Sequence, residues 1–334
     1  MNDKALAVLE KYDIEVLRSW KGRSAILCET KTGIKILKEY KGSEKRLLVQ
    51  QKLLEKIEEN GFIGKEKILC SKEGELIVKD EEMNSYYLKE YKDGKECNLK
   101  DSQEIGNAVS QMAKLHKSMV FCELSEEEGL PVFSLVEEFE KHTKELRKVK
   151  KYLKTKRQKD DFEYYLYQNF NLFLEKAEKV LEEVKQRSSL FSLDKERKKG
   201  MFCHGDMQHH NVLMNHGEVY FINFEKFIID DSMRDLSLFL RKTMEKNNWS
   251  QELGSYILQT YQKENAITEE QKLQIYYRLF YPEKFWKITN FYFNSSKSWI
   301  PVKNKEKLEM LIKMEVEKNR FLESTFDRFR TIHC

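Results

Sequence analysis

The chain has 334 residues, of which 60 are Lys or Arg and 56 are Asp or Glu, so its formal net charge is +4. This small excess favours neither nucleic acid nor an anionic membrane surface as a partner. It contains 13 glycines and 3 prolines, well below their average share of roughly 12%, which excludes collagen-like and low-complexity architectures and favours long helices.

The apolar residues and the cysteines indicate the cell compartment in which the protein is expected. No run of about 18 apolar residues is present, so we expect no membrane span. Residues 1–16 carry scattered charges and lack the apolar core of a secretory signal. The cysteines are far apart, without a C-x-x-C pair, which predicts free thiols in a reducing cytosol: Cys28, Cys70, Cys97, Cys122, Cys203 and Cys334. We expect a soluble intracellular protein.

Residues 1–91 have the pattern of a small mixed lobe. A short helix is predicted over 1–12, and helical spacing of apolar residues predicts a second helix over 44–59 that ends at Asn60-Gly61. Apolar runs bounded by turn residues predict six strands. These are Ile14–Ser19, Ala25–Glu29, Ile34–Tyr40, Lys67–Cys70, Leu76–Lys79 and Tyr86–Tyr91.

From residue 92 to residue 334 the pattern is almost wholly helical. The exception is 200–225, where short apolar runs enclose polar residues and predict a loop followed by a hairpin. We therefore predict an α+β protein with two lobes, 1–91 and 92–334. Besides a helix around residues 105–116, the predicted helices of the second lobe are 134–150, 160–187, 232–246, 250–264, 269–281 and 304–330.

The loop predicted within residues 200–225 contains the motif H-G-D-x4-N, in which the Asp is Asp206 and the Asn is Asn211. This spacing suits phosphoryl transfer, because the Asp can position an attacking hydroxyl and accept its proton. The Asn can reach a Mg²⁺ that bridges the phosphates. A second acid normally follows on the next hairpin strand and holds the metal, but here the chain has Asn223, with Glu225 two residues later.

Several histidines surround this motif: His204, His209, His210 and His216. They lack the H-x3-H or H-E-x-x-H spacing of a zinc site, and no cysteine pair accompanies them. We expect His204 to pack within the loop and order it beside Asp206. His209 and His210 are expected to be partly exposed near the substrate.

In the first lobe, Lys38 lies on the predicted third strand, on the face of its apolar residues. An inward Lys here could contact the α- and β-phosphates of a nucleotide, with a Glu of the following helix as its partner. Glu44 is the first choice for that partner and Glu55 is the alternative. The predicted phosphate loop, residues 19–24, contains a single glycine, Gly22.

Together these residues resemble those of the aminoglycoside-phosphotransferase and choline-kinase branch of the protein-kinase-like fold, and more narrowly those of CotS-type spore-coat proteins. The resemblance runs nearly end to end. H-G-D-x4-N is shared by many small-molecule kinases, so the C-terminal signature is the most specific part. It comprises Tyr281–Lys287, Asn290–Trp299 and Lys305–Leu308.

The resemblance implies a bilobal kinase-like fold, with a β-rich nucleotide-binding lobe and a helical lobe that contains the catalytic loop, 202–225. Asp235 is implied to brace that loop, and the Glu90–Tyr91 backbone is implied to be the hinge that meets adenine. The implied site residues are Asp206 and His204 for catalysis; Lys38, Glu44, Glu90 and Tyr91 for the nucleotide; and Asn211, Asn223 and Glu225 for the metal.

Asn223 departs from the family pattern, since active members of the fold have a metal-binding Asp there. An amide oxygen brings no negative charge, and a unit-charge pair about 4 Å apart is worth roughly 4 kcal/mol at an effective dielectric of about 20. Two functions stay open. One is a structural or assembly role in the endospore coat with weak or lost phosphotransferase activity. The other is an active ATP- and Mg²⁺-dependent phosphotransferase acting on a hydroxyl acceptor.

The resemblance also implies where such a protein is found. A coat protein of this type is made in the mother-cell cytoplasm, is deposited in the endospore coat and contacts other spore-coat proteins. ATP and Mg²⁺ are implied as cofactors only if the chain is active. The helices of the second lobe show no acidic cluster that would bind an aminoglycoside, so the acceptor stays open.

Overall fold

The computed structural model describes residues 7–22, 25–121, 130, 132, 134–191, 200–294 and 301–327. Its first lobe is built on an antiparallel sheet with the order β1-β2-β3-β6-β4, in which β5 also pairs with β6. The strands are β1 (Val16–Gly22), β2 (Ala25–Thr30), β3 (Gly33–Glu39), β4 (Ile68–Leu69), β5 (Val78–Lys79) and β6 (Ser85–Glu90). All six predicted strands are therefore present, with shifted ends.

The register of β3 against β6 determines which side chains face the second lobe. Lys38 lies opposite Tyr87, and Ile36 lies opposite Lys89. Paired residues share a face of an antiparallel sheet, and residues two apart on a strand share it too. Lys38, Tyr87 and Lys89 therefore lie on one face.

Helix α1 spans Glu44–Glu59, as predicted. The Ser43 side chain accepts a hydrogen bond from the Arg46 amide at its start, and Gly61 takes a φ of 83° just beyond its end. Local signals at both ends thus explain the accurate prediction. The predicted N-terminal helix is a short 3-10 turn, Val8–Lys11, within the described residues.

The second lobe is a helical assembly. Capping boxes at Ser134, Asp160 and Thr268 begin three of its helices. The helices are α2 (Ser102–Ser118), α3 (Leu135–Thr155), α4 (Asp161–Gln186), α5 (Met233–Lys246), α6 (Gln251–Glu264), α7 (Glu269–Phe280), α8 (Glu283–Phe293) and α9 (Pro301–Thr325). The predicted end of the last helix, residues 328–330, lies outside the described residues.

Helix α8 is absent from the predicted helices. Its apolar residues do have helical spacing, with Phe285 and Ile288 buried on one side, but the exposed Phe291 places an aromatic residue on another side. In the structure Phe285 packs face to face with Phe173 of α4, with ring centroids 4.4 Å apart. Packing against α4 thus accounts for part of the aromatic character of this segment.

The loop of the motif lies among short strands. Strand β8 (Phe202–Cys203) pairs with β11 (Ile228–Ile229). Strand β9 (Val212–Asn215) pairs with both β10 (Glu218–Phe221) and β7 (Lys95–Glu96). The predicted hairpin is therefore present.

The prediction that Asn223 and Glu225 both lie on the second strand of this hairpin is wrong. Strand β10 ends at Phe221, Asn223 takes a left-handed φ of 66°, and Phe224–Lys226 forms a 3-10 turn. Asn tolerates this conformation better than most residues, because its short polar side chain can bond locally. The turn directs Glu225 away from the strand direction.

A continuous core joins the lobes, since Leu47 and Leu54 of α1 belong to the same buried cluster as Met112 of α2 and Phe221. Among the described residues, no helix is both long enough and apolar enough to cross a membrane. Cys28, Cys70, Cys97 and Cys203 are free thiols, as their spacing predicted. Cys122 and Cys334 lie outside the described residues.

Candidate active site

The loop after β8 turns sharply at Gly205, which has a φ of 78°. A Cβ at this position would lie 2.0 Å from the backbone oxygen of Lys226. No side chain fits in that space, and the left-handed backbone already disfavours one. Glycine therefore allows His204 and Asp206 to lie on either side of a tight bend.

Asp235 of α5 braces this bend, in the role that the resemblance implied. One carboxylate oxygen accepts a hydrogen bond from the His204 amide (2.6 Å) and the other accepts one from the Gly205 amide (3.0 Å). His116 Nε2 lies 3.3 Å from the same carboxylate. Burial alone raises the pKa of Asp235, but His116 and His204 lower it below the ordinary value. The brace therefore stays ionised.

His204 is buried, and both of its ring nitrogens are used. Nε2 donates to the Ile222 backbone oxygen (2.8 Å), and Nδ1 accepts from the Asp206 amide (3.2 Å). These contacts fix the loop against the hairpin. His204 thus positions the loop and its catalytic role stays a prediction, while His209 and His210 are partly exposed.

Asp206 is a partly buried carboxylate with two side-chain donors. Gln208 Nε2 donates to one oxygen and Lys226 Nζ to the other, the latter at 2.9 Å. Burial raises the pKa of Asp206, but the bonds from Gln208 and Lys226 outweigh it, so the pKa lies below its ordinary value. A carboxylate stabilised in this way is a weaker base.

Asn211 and Asn223, two of the predicted metal ligands, lie side by side. Asn223 Nδ2 donates to Asn211 Oδ1 (2.9 Å), while Asn211 Nδ2 donates to the Asp206 backbone oxygen (2.8 Å). Asn223 Oδ1 accepts a hydrogen bond from Lys89 Nζ (2.9 Å). Each amide oxygen that the prediction assigned to Mg²⁺ therefore already faces a donor of the protein.

Lys89 is 3% exposed and was not among the residues predicted from the sequence. Its ammonium lies 2.6 Å from the carboxylate of Glu66, which is 1% exposed, and 3.9 Å from that of Glu225. Burial alone lowers the pKa of an ammonium, but these two carboxylates raise the pKa of Lys89 above its ordinary value. Lys89 is therefore a buried cation beside Asn223.

Glu66 connects this cation to the turn that contains Asn223. Its carboxylate accepts hydrogen bonds from the backbone amides of Asn223 (2.8 Å) and Phe224 (2.9 Å). It thus fixes the turn to the first lobe. Strand alternation is the signal that could have located Lys89, since it lies two residues from Tyr87 on the face shared with Lys38.

The partner of Lys38 is Glu225, which corrects the prediction of Glu44 or Glu55. Glu44 lies exposed in the first turn of α1, and Glu55 accepts a hydrogen bond from Gln51. Helix α1 instead presents Arg46 to the turn, donating to the backbone oxygens of Glu225 and Phe227. No glutamate of α1 therefore pairs with Lys38 among the described contacts.

Glu225 was predicted to bind the metal and is engaged by protein groups instead. Lys38 forms an ion pair with its carboxylate, and the Tyr87 hydroxyl donates to the same oxygen at 2.5 Å. Burial raises the pKa of Glu225, but Lys89, Lys38 and Tyr87 together lower it to about 2. The carboxylate is thus ionised and surrounded by cations.

Glu90 and Tyr91, the predicted hinge, lie at the end of β6. The Tyr91 amide donates to the Ile34 backbone oxygen (3.0 Å), and the Glu90 amide donates to that of Lys67 (2.9 Å). Both amides are therefore used within the sheet. Adenine contact at this position stays a prediction.

Comparison with known proteins bears on this arrangement. A family model described as "Spore coat putative kinase YutH" matches residues 6–325. None of the curated proteins matches the chain.

Solved structures share the fold. An aminoglycoside phosphotransferase from Alicyclobacillus acidocaldarius has a TM-score of 0.84 at 18% identity, with 98% of this chain and 96% of that chain covered. A spectinomycin phosphotransferase in complex with ADP and spectinomycin has a TM-score of 0.68 at 12% identity, covering 95% and 97%. A choline kinase from Cryptosporidium parvum has a TM-score of 0.53 at 14% identity, covering 96% and 96%. At these identities the likeness shows the kinase-like fold.

Proposed function

The chain belongs to this family of spore-coat kinase-like proteins, and from that premise we propose that it has a structural or assembly role in the endospore coat, with phosphotransferase activity weak or lost. The observation that carries the proposal is the contact between Lys89 and Asn223. The Lys89 ammonium donates a hydrogen bond to the Asn223 side-chain oxygen, which is the oxygen that a catalytic metal would need as a ligand.

The donor set does not fit Mg²⁺. This ion prefers carboxylate ligands and nearly octahedral geometry. Asn211 and Asn223 offer only amide oxygens, each already bonded to a donor. The carboxylate of Glu225 is paired with Lys38. The proposed role therefore involves no metal.

Charge balance supports the same conclusion. Two carboxylates, the buried Glu66 and the partly buried Glu225, are matched by two ammonium groups, Lys38 and Lys89. A divalent cation would add two positive charges to a cluster that is already neutral. Removing one member of a buried pair is costly, because it leaves its partner unpaired in a poorly solvated place. The cluster thus stabilises the contact between the lobes without a metal.

In this proposal the protein is deposited in the coat after synthesis in the mother-cell cytoplasm, and it contacts other coat proteins. Neither ATP nor Mg²⁺ is required for that role. The kinase-like fold supplies a rigid scaffold, and fold alone does not determine function.

One observation favours the second candidate, an active small-molecule phosphotransferase. Asp206 and Asn211 lie in a fully braced H-G-D-x4-N loop, with Asp235 bonded to the His204 and Gly205 amides. A similar structure, the spectinomycin phosphotransferase, is bound to ADP. Under this alternative Asp206 would be the base that accepts the proton of the acceptor hydroxyl.

Complementation in a strain that lacks the chain separates the two candidates. Wild type, Asp206→Ala and Lys38→Arg, which keeps the positive charge beside Glu225, are each expressed in it, and protein levels are matched by immunoblot. A structural role predicts that all three restore coat layers seen by electron microscopy and resistance of the spores to lysozyme. Normal levels of Asp206→Ala with a defective coat would contradict the proposal, and so would a normal coat in the strain that lacks the chain.

A further inference from the structure

A cavity of about 410 Å³ opens beside Asp206. Its walls come from α3, α5, α7 and α8, and Gly205 and Asp206 are also among its lining residues. The volume is within the range of roughly 300–1,000 Å³ that is typical of small-molecule sites. Lys89, Asn223 and Glu225 are not among its lining residues. The cavity is therefore separate from the cluster that fills the predicted metal position.

The cavity wall is rich in positive charge. Most of its cations have a carboxylate partner. The pairs are Arg234 and Arg278 with Asp230 and Glu138, Arg241 with Glu245, Lys226 with Asp206, and Lys287 with Glu283. These pairs leave one further lining cation, Lys242 of α5.

Lys242 has no hydrogen bond or ion pair within the part of the chain that the structure describes, although it is partly buried. The neighbouring carboxylate, Glu245, is already bonded to Arg241 through one oxygen and to Lys284 through the other. Burial, and then the positive charge of Arg241, lower the pKa of Lys242 below its ordinary value. An ammonium in this position attracts an anion.

Two further donors in the cavity wall lack partners among the described residues. The hydroxyl of Ser237, a residue that is 4% exposed, is buried without a hydrogen bond, and so is Nε of Arg278. Ammonium and guanidinium groups can only donate hydrogen bonds. Unpaired buried donors are unfavourable, and the two residues that carry them, Ser237 and Arg278, both line the cavity.

We propose that this cavity binds a small organic molecule through an oxyanion group, either a phosphate or a carboxylate, held by Lys242 with Ser237 nearby. The oxyanion would supply the negative charge that Lys242 lacks. A quaternary ammonium ligand would instead be repelled by the unpaired ammonium of Lys242. Binding of this kind requires neither nucleotide nor metal, so it goes beyond the coat role and does not depend on phosphotransfer.

Isothermal titration calorimetry of the full chain tests this binding with four related probes. Glycerol 3-phosphate and D-glycerate carry the two oxyanions, glycerol is the uncharged match, and choline is the cationic one. We expect saturable binding of at least one oxyanion probe and none of glycerol or choline. The stronger of the first two probes identifies phosphate or carboxylate as the preferred group. Absence of saturable binding by both oxyanions would overturn the proposal.

Variants of α5 locate the site. Lys242→Met should weaken binding by about tenfold or more, the effect expected from loss of a charge-assisted bond. Lys246→Met is the matched control, because Lys246 is exposed on the same helix outside the cavity wall, and it should leave the affinity unchanged. Lys242→Arg keeps the charge and should retain binding. It therefore separates loss of the charge from loss of stability if Lys242→Met lowers the melting temperature. Equal losses in Lys242→Met and Lys246→Met would contradict the assignment.

Discussion

The ammonium of Lys89 donates a hydrogen bond of 2.9 Å to the side-chain oxygen of Asn223. Asn223 in turn donates to Asn211 at the same distance, so a lysine of the first lobe is connected to the H-G-D-x4-N loop of the second. A carboxylate at position 223 would have offered charge to a metal. The Asn223 amide offers a neutral acceptor instead, and the Lys89 ammonium donates to it.

Lys89→Met should destabilise the protein, because it leaves Glu66 buried without its cation. Breaking a buried pair from one side costs about 3–5 kcal/mol. The free energy of unfolding, measured in urea, checks this value. Lys79→Met is the control, since Lys79 is an exposed lysine of β5 in the same sheet, and its change should stay within about 0.5 kcal/mol. Equal effects of the two substitutions would mean that the ion pair contributes nothing.

Glu225 should make stability depend on pH in the acidic range. Its pKa in the folded protein is about 2, below the ordinary value of 4.5. A lowered pKa stabilises the folded state fully above pH 4.5, and this stabilisation disappears as the pH falls towards 2. At pH 7 its size is on the order of 3 kcal/mol, from 1.36 kcal/mol per unit of pKa.

Unfolding free energies of wild type and Glu225→Gln at pH 7 and pH 3 test this dependence. The gap between the two proteins should be large at pH 7 and smaller at pH 3. Glu29→Gln, which changes an exposed carboxylate of β2, should show little gap at either pH. A gap for Glu225→Gln that is the same at both pH values would contradict the assigned ion pairs.

Gly205→Ala should disrupt the H-G-D-x4-N loop, because the added Cβ would lie 2.0 Å from the Lys226 backbone oxygen. Gly217→Ala is a matched control, since Gly217 also has a positive φ but a Cβ added there would meet no atom within 4 Å. The control should cost only backbone strain, about 1–2 kcal/mol. Gly205→Ala should cost clearly more in the free energy of unfolding. Similar costs for both would show that the loop can relax around the new methyl group.

Much of the fold could be predicted where the signals are local. Helix α1 has Ser43 at its start and Asn60-Gly61 at its end, and the structure gives it the predicted bounds. Helix α8 is absent from the predicted helices although its apolar residues have helical spacing, and the exposed Phe291 adds an aromatic residue outside its buried side. The position of α8 depends on packing with Phe173, which lies far away in the sequence.

The site was harder to predict, because its pairs join distant segments. The spacing of the chain favoured Glu44 as the partner of Lys38, yet the left-handed turn at Asn223 brings Glu225 to that lysine. Lys89 was overlooked because lysines are common in this chain and most are solvated. Only the alternation of side chains along β6 and the burial of the partner Glu66 show that Lys89 points inward.

Calorimetric titration of MgATP into wild type, Asn223→Asp and the double variant Asn223→Asp/Lys89→Met tests most directly whether Lys89 takes the place of the metal. We predict no saturable binding by wild type, and little by Asn223→Asp, because Lys89 would pair with the new carboxylate. We predict Mg²⁺-dependent binding by the double variant, in which the carboxylate is free. Tight Mg²⁺-dependent binding by wild type would contradict this role of Lys89, and so would a double variant that binds MgATP no better than Asn223→Asp does.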